Sequence, residues 1–438
     1  MKWLLYNVLF FLAYLLMTPY FLLRMRKRGG YRTRFLDRFG RYPSVVRQRL
    51  ARGGRPIWVH AVSVGEVYVA GQVMKAIRTR FPRTRFVLST TSSTGWREAR
   101  KLVEDDDVLL FYPLDFPASV RRAFDAIRPR MLILTESEIW PNAIRTCHAR
   151  GIPLYLVNAR VSDASAPGYR RLRLWFGPVL RMFTRIFAQS AIDKDRLVAA
   201  GADPDAIEVT GSFKFDVATR SPHHEAAVRD FLECHGITPA HTLLVGGSTW
   251  PGEDAALIGI YARLQPRFPG LRLAIVPRHF EKADAVQRTI ERAGLDCVRK
   301  SKLPPGAISR NPDGHAVILA DTTGELMGFY GNAQIAFVGK SLCEHGAQNM
   351  IEPCLCGAAT LVGPNTENFR PVMADLLDAQ ALIQVQDADE LEREIARLLA
   401  DPEARAQLAR SATLAVERRK GVVAHVIDAL GEKLKVES

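Results

Sequence analysis

RPIWVHAVSVGEVYVAGQVMKAIRTRF, residues 55–81, changes character in its middle. An apolar run, RPIWVHAV, gives way at Ser63 and Gly65 to the helix-like stretch EVYVAGQVMKAIRTRF. A short Val/Ile-rich strand leading through a small-residue turn into a helix is the unit from which parallel, doubly wound sheets are made. Glu66 stands at the junction and has two readings. A carboxylate at a helix start is stabilised by the macrodipole by about 0.3–1 kcal/mol. A carboxylate at a strand-to-helix turn is also where substrate can reach a general base.

Outward from this stretch the same alternation recurs. IWVHAV, RFVLSTT, VLLFYPLD, MLILTESE, PLYLVNAR, RIFAQS and IEVTGS read as strands, most of them separated by amphipathic stretches. The pattern then restarts after HHEAAVRDFLECHG with TLLVGGS, LRLAIVPRH, AVILADTT, QIAFVGKS, ATLVGP and ALIQVQ. At 438 residues the chain exceeds what one hydrophobic core serves. The expected fold class is therefore α/β: two doubly wound Rossmann-like domains with a cleft between them. The boundary is expected in FDVATRSP, residues 215–222, giving domains at 29–218 and 219–438, with residues 301–315 as a connection and an all-helical C-terminal end in the second.

The net charge of +14 suggests a nucleic-acid partner until it is located along the chain. Residues 24–55 hold twelve Lys or Arg against Asp37 alone, a net +11; Lys2 adds one, and only +2 is left for residues 56–438. The body is not basic, so no nucleic-acid partner is expected. Before the basic segment, residues 3–23 run without a charge, and 21 residues of helix span roughly 30 Å, about one bilayer core. No A-x-A-like cleavage site follows, which disfavours a removed signal peptide. Residues 1–28 are expected to be an uncleaved anchor with a basic collar, attracted to anionic lipids and holding the body on the cytoplasmic side. Asn7, Thr18 and Pro19 weaken the case for a simple span.

The six cysteines have no C-x-x-C spacing, and no metal site is expected. No G-x-G-x-x-G follows the first strand of either half and no Walker lysine occurs, which disfavours a dinucleotide dehydrogenase or a P-loop kinase. Strand ends in the first half carry Glu66, Glu136, Arg160 and Lys214, two carboxylates and two cations. In the second half, GGSTWPGED (246–254) offers Ser248, Thr249 and a helix-start turn to a donor phosphate or sugar, a role also assigned to Arg160. Arg278 follows the next strand, DTTGELMGFYG (321–331) another, and GAQNMIEP (346–353) opens a short helix. A guanidinium grips phosphate with paired hydrogen bonds, and Glu352 can accept from two ribose hydroxyls. His60 reads as a packed or hydrogen-bonded strand-end residue.

HAVSVGE, TESEIWPN, NARVS, GSFKFD, GGSTWPGED, PRH, GEL, FVGKS, QNMIEP and GPNTENF, in this order along residues 31–420, resemble the Kdo (3-deoxy-D-manno-octulosonic acid) transferases of lipopolysaccharide synthesis. The resemblance implies a membrane-associated GT-B glycosyltransferase that moves Kdo from CMP-Kdo to a lipid A precursor, with inversion, at the cytoplasmic face of the inner membrane. It implies no cofactor and no metal. It places the general base on Glu66 and transition-state stabilisation on Glu136 and Lys214. CMP contacts fall on Pro277, Arg278, Gly324, Glu325, Leu326, Asn349, Met350, Ile351 and Glu352. Two departures stand out: Trp250 where many relatives have His, and Ala347 where many have Gly. A GT-B enzyme using another nucleotide sugar, and a non-catalytic membrane-anchored binding protein of the same fold, are the alternative readings.

Overall fold

The computed structural model describes residues 2–28, 34–304 and 315–434. Most of the expected connection at 301–315, residues 29–33 beyond the basic collar, and the extreme C-terminus therefore lie outside the described residues. The chain divides into two compact units, Met1–Val217 with Gly421–Ser438, and Ala218–Lys420.

The first unit is built on a seven-stranded parallel sheet of β1 (Ile57–His60), β2 (Phe86–Thr90), β3 (Val108–Phe111), β4 (Met131–Thr135), β5 (Leu154–Ala159), β6 (Arg185–Ala188) and β7 (Ile207–Val209), in the order β3-β2-β1-β4-β5-β6-β7. Successive side chains of a strand point to opposite faces. Trp58, Leu132, Leu134, Leu154 and Leu156 thus enter one core. Ile57, Val59, Met131, Ile133, Tyr155 and Val157 enter another. Both faces are covered, which is why the strands read as continuous apolar runs.

The C-terminal end departs from expectation. The helix Val422–Leu434 belongs to the first unit and not to the second. Its Val422, Val423, Val426, Ile427 and Leu430 join the core that contains Val67, Val73 and Ile77. Asp216 receives its first turn, accepting from the amides of Gly421 at 2.6 Å and Val423 at 2.7 Å. A carboxylate at a helix N-terminus satisfies otherwise orphaned amides.

The second unit repeats the architecture with β8 (Thr242–Thr249), β9 (Leu271–Pro277), β10 (Cys297–Arg299), β11 (Val317–Leu319), β12 (Ile335–Val338), β13 (Ala359–Val362) and β14 (Ile383–Gln384), ordered β10-β11-β9-β8-β12-β13-β14. The strand β10, only three residues long and at the sheet edge, is the one that apolar patterning missed.

In each sheet the order reverses beside the first strand, between β1 and β4 and between β8 and β12. Ligands of open α/β sheets bind at such switch points, beyond the strand C-termini. The N-terminal helix Lys2–Arg28 is long and apolar enough over Lys2–Leu23 to cross a membrane by length and composition.

Candidate active site

Glu66 stands at the switch point of the first unit. It follows β1 as the third residue of the helix Val64–Arg80, capped by Ser63. The Ser63 hydroxyl accepts from the Glu66 amide at 3.3 Å, and Glu66 Oε1 accepts from the Ser63 amide at 3.2 Å. This reciprocal capping box fixes the turn. Glu66 Oε2 also accepts from the Val62 amide at 3.0 Å and from the Thr135 hydroxyl at 3.0 Å. Because Thr135 ends β4, the carboxylate is held from both sides of the switch point. Three donors occupy three of about four lone-pair sites of the carboxylate. One is left for a further proton.

Glu136 follows Thr135 directly, in a left-handed conformation at φ 53°. Non-glycine residues seldom adopt this conformation. It is held by the Glu136 amide donating to the Val157 carbonyl at 3.0 Å and by Arg160 Nε, 3.0 Å from Glu136 Oε2. Burial pushes the Glu136 carboxyl up, Arg160 and Lys214 pull it down, and Glu66 pushes it up. Lys214 starts the short helix Lys214–Val217. Burial lowers its ammonium to about 8, against the opposing pull of Glu136. Two carboxylates and two cations therefore share one electrostatic environment, and it contains the four first-unit residues singled out in the sequence.

Three supports were not singled out. Thr135 is the first. Asn158, at φ 54°, accepts from the Phe213 amide at 3.0 Å and places its amide nitrogen 3.4 Å from Glu136 Oε1, tying the NARVS and GSFKFD turns to Glu136. An Asn ending an apolar strand is a candidate for the left-handed region, and that signal was readable. Glu138 is the third. Burial raises its carboxyl to about 7, with Glu66 pushing the same way, while Trp140 donates to it at 2.8 Å. His60 is packed as expected: its ring stacks on Tyr112 at 3.7 Å between centroids, and burial lowers its pKa to about 3.

In the second unit the switch point is knit by Glu253. This fully buried carboxylate accepts from the amides of Trp250 at 2.9 Å, Lys340 at 2.7 Å, Ser341 at 2.9 Å and Leu342 at 2.9 Å. The turns after β8 and β12 are thereby joined. Gly339 permits their approach, since a Cβ there would lie 2.2 Å from the Ser248 carbonyl oxygen. Ser248 is strained at φ 53°, and the Thr249 hydroxyl donates to Asp254. Glu253 thus takes the Trp250 amide of the GGSTWPGED turn and the Lys340, Ser341 and Leu342 amides of the turn after β12.

Pro277 ends β9 and Arg278 follows it, exposed and without an ion pair among the described residues. Glu352, in the first turn of the helix Ile351–Cys356, accepts from Asn349 Nδ2 at 3.0 Å. Burial raises its carboxyl, and Asn349 and Arg278 lower it, which ties Arg278 electrostatically to that turn. Met350 and Ile351 are fully buried under it. Gly324, at φ 89°, precedes Glu325, which pairs with Lys300 at 2.8 Å and accepts from Thr322. Leu326 begins the next helix. At the two departures, Trp250 stacks edge-on to His279 at 4.9 Å with the Lys340 ammonium 5.1 Å from its ring centre, and Ala347 holds φ 51°.

Residues 33–217 match the family model described as 3-deoxy-D-manno-octulosonic-acid transferase (kdotransferase). Over 425 residues, 94% of each chain, the protein is 34% identical to a 3-deoxy-D-manno-octulosonic acid transferase of Bordetella pertussis. It is 29% identical over 408 residues, 92% of each chain, to that of Haemophilus influenzae. Among solved structures, a glycosyltransferase from Rickettsia africae matches with a TM-score of 0.58 at 11% identity, covering 88% of this chain and 100% of that one. At that identity the likeness concerns the fold.

Proposed function

This chain belongs to the family of 3-deoxy-D-manno-octulosonic acid (Kdo) transferases, and from that premise we propose the reaction that its two sites carry out. The protein is a Kdo-transferring glycosyltransferase of GT-B fold, and the family implies CMP-Kdo as donor and a lipid A-type acceptor. In the proposed reaction a glucosamine hydroxyl of a lipid A precursor of the lipid IVA type attacks the anomeric carbon of Kdo with inversion. Its proton passes to Glu66, and the bond to CMP breaks with its electron pair going to the phosphate.

The observation that carries this reading is the hold on Glu66. Three donors and a helix start fix its carboxylate at the switch point, beside the Glu136, Arg160 and Lys214 group. Preorganised charge of this kind acts where charge develops in the transition state. Lys214 and Glu136 take that role. Pro277, Arg278, Gly324 to Leu326 and Asn349 to Glu352 hold CMP, with Arg278 on the phosphate and Glu352 on the ribose. Ser248, Thr249 and Arg160 face the donor phosphate or Kdo. No cofactor and no metal enter the reaction, and no nucleic acid is a partner.

The N-terminal helix and basic collar would keep the protein on the cytoplasmic face of the inner membrane, where an acylated acceptor resides. The test is transfer assayed with lipid IVA and either CMP-Kdo or a series of UDP-sugars, the products weighed by mass spectrometry. Mass gain from CMP-Kdo alone is expected. Gain only from a UDP-sugar would replace the donor, and no transfer from any donor would favour a binding protein.

A further inference from the structure

The helix Lys2–Arg28 does not stand away from the body. One face of its first four turns is seated on the first unit. Lys2 Nζ donates to the Leu174 carbonyl at 3.3 Å. Trp3 packs on the core with the Arg145 guanidinium 5.0 Å from its ring centre. Tyr6 donates to Asp115 at 2.8 Å, and Asn7 accepts from Asn142 Nδ2 at 2.7 Å. Phe10 and Tyr14 stack edge-on to Phe116 at 5.1 and 5.3 Å. Positions 3, 6, 7, 10 and 14 form one stripe of a helix with 3.6 residues per turn.

The receiving groups are built into the fold. Asp115 is fully buried and also accepts from the amides of Asn142 at 2.8 Å and Ala143 at 2.9 Å, at the start of the helix Pro141–Ala149. Its carboxyl is raised by burial to about 7, opposed by these donors and by Tyr6.

Among the described residues, the opposite face has no protein partner. Leu4, Leu5, Val8, Leu9, Leu12 and Leu16 are exposed, Leu16 to 81%. Beyond the seated stripe the helix continues through Leu15 to Leu23, apolar except for Thr18, whose hydroxyl donates to the Tyr14 carbonyl at 2.6 Å. At 1.5 Å per residue these nine residues reach roughly 14 Å, half or less of a bilayer core of about 30 Å. If the whole helix crossed instead, Asn7 would lose Asn142 and lie in hydrocarbon, where an unpaired amide is costly.

A second surface continues the first. Next to Lys2, the stretch Arg170-Arg171-Leu172-Arg173-Leu174 is exposed along its length, with Leu174 at 68%. Exposed leucines interleaved with arginines suit the boundary between acyl chains and anionic headgroups. In sequence, the basic collar Arg24, Arg26, Lys27 and Arg28 follows the free end of the helix.

We propose that this helix is a one-leaflet anchor: it stays seated on the first unit through Trp3, Tyr6, Asn7, Phe10 and Tyr14, its opposite face enters a single leaflet of an anionic bilayer together with Leu172 and Leu174, and no segment of it crosses. The inference rests on the membrane association proposed above and specifies its geometry. The first unit then lies against the leaflet, close to an acceptor that remains in the lipid.

The test uses the full-length protein in native membranes. Asn7→Cys is combined with Asn142→Cys, and separately Trp3→Cys with Arg145→Cys, in a chain with Cys234 and Cys343 replaced by serine; transfer activity reports that each variant is folded. Oxidation should form the intrachain disulfide in the membrane fraction in at least one pair. A Lys2→Cys variant in the same background should react with a membrane-impermeant maleimide in inverted vesicles and not from the periplasmic side. Membrane-bound protein labelled from the periplasmic side, with neither disulfide formed, would overturn the one-leaflet geometry while leaving membrane association standing. Full-length protein found in the soluble fraction would overturn both.

Discussion

The two sheets repeat one architecture, yet their switch points are organised in opposite ways. In the first unit, charged side chains converge: Glu66, held by the Val62 and Ser63 amides and the Thr135 hydroxyl, shares its surroundings with Glu136, itself held by Arg160 and Asn158. In the second, one buried carboxylate, Glu253, ties the Trp250 amide after β8 to three amides after β12, while the cation expected to meet ligand, Arg278, stays exposed. A site meant for chemistry gains from groups fixed before substrate arrives. A site meant to take up and release a nucleotide is served by a rigid frame with one open, adjustable charge. On the proposed reading, Glu253 supplies the frame and Arg278 the charge.

Substitutions in each half can break this contrast. Glu66→Ala should lower the transfer rate by about 100- to 10,000-fold, the range for a positioned general base, with CMP affinity little changed. Lys214→Met should lower it by about 100- to 1,000-fold. Since the folded ammonium titrates at about 8, transfer should decline above that pH as the cation is lost. Lys214→Arg should move that decline to higher pH, which a pH profile of kcat would reveal.

Smaller effects belong to the second unit. Arg278→Ala removes a charge-assisted contact worth about 1.5–3 kcal/mol, so CMP should bind roughly 10- to 150-fold more weakly by calorimetry while transfer at saturating donor falls less. Glu253→Ala should act on stability, at about 1–3 kcal/mol for each buried amide left without an acceptor, and lower the thermal midpoint.

A pH-dependent effect returns to the first unit. Glu138 holds its proton more tightly folded, near 7, than its ordinary 4.5. Stability therefore falls as pH rises through that window, because the folded state binds more protons. Glu138→Gln should flatten that part of the profile in denaturant titrations at pH 5 and 7.

What was legible in the sequence follows from what is local. Strands buried on both faces announce themselves as apolar runs, and the residues after them mark the switch points, so Glu66, Glu136 and Arg278 could be named from position alone. The partners that hold them could not. Thr135 reaches Glu66 across two strands, and Glu253 reaches Lys340 across 87 residues; neither contact leaves a local trace. The stripe Val422, Val423, Val426, Ile427 and Leu430 required a partner surface, but periodicity does not say which sheet supplies it. The charge-free run marked the N-terminal helix and not its seat, because Asn7 looked like a defect in a span until Asn142 donated to it.

In the proposed reaction Glu66 takes the acceptor's proton and is not only a helix cap. Glu66→Gln keeps the size of the side chain and one oxygen for the Ser63 amide, while its NH2 replaces the oxygen that accepts from the Val62 amide and the Thr135 hydroxyl. Single-turnover transfer and CMP binding measured on the same preparation should show a rate lowered at least about 100-fold with CMP affinity close to that of the parent, at a temperature where circular dichroism reports the variant fully folded. Transfer at the parent rate would show that Glu66 serves the helix start alone, and would contradict the account.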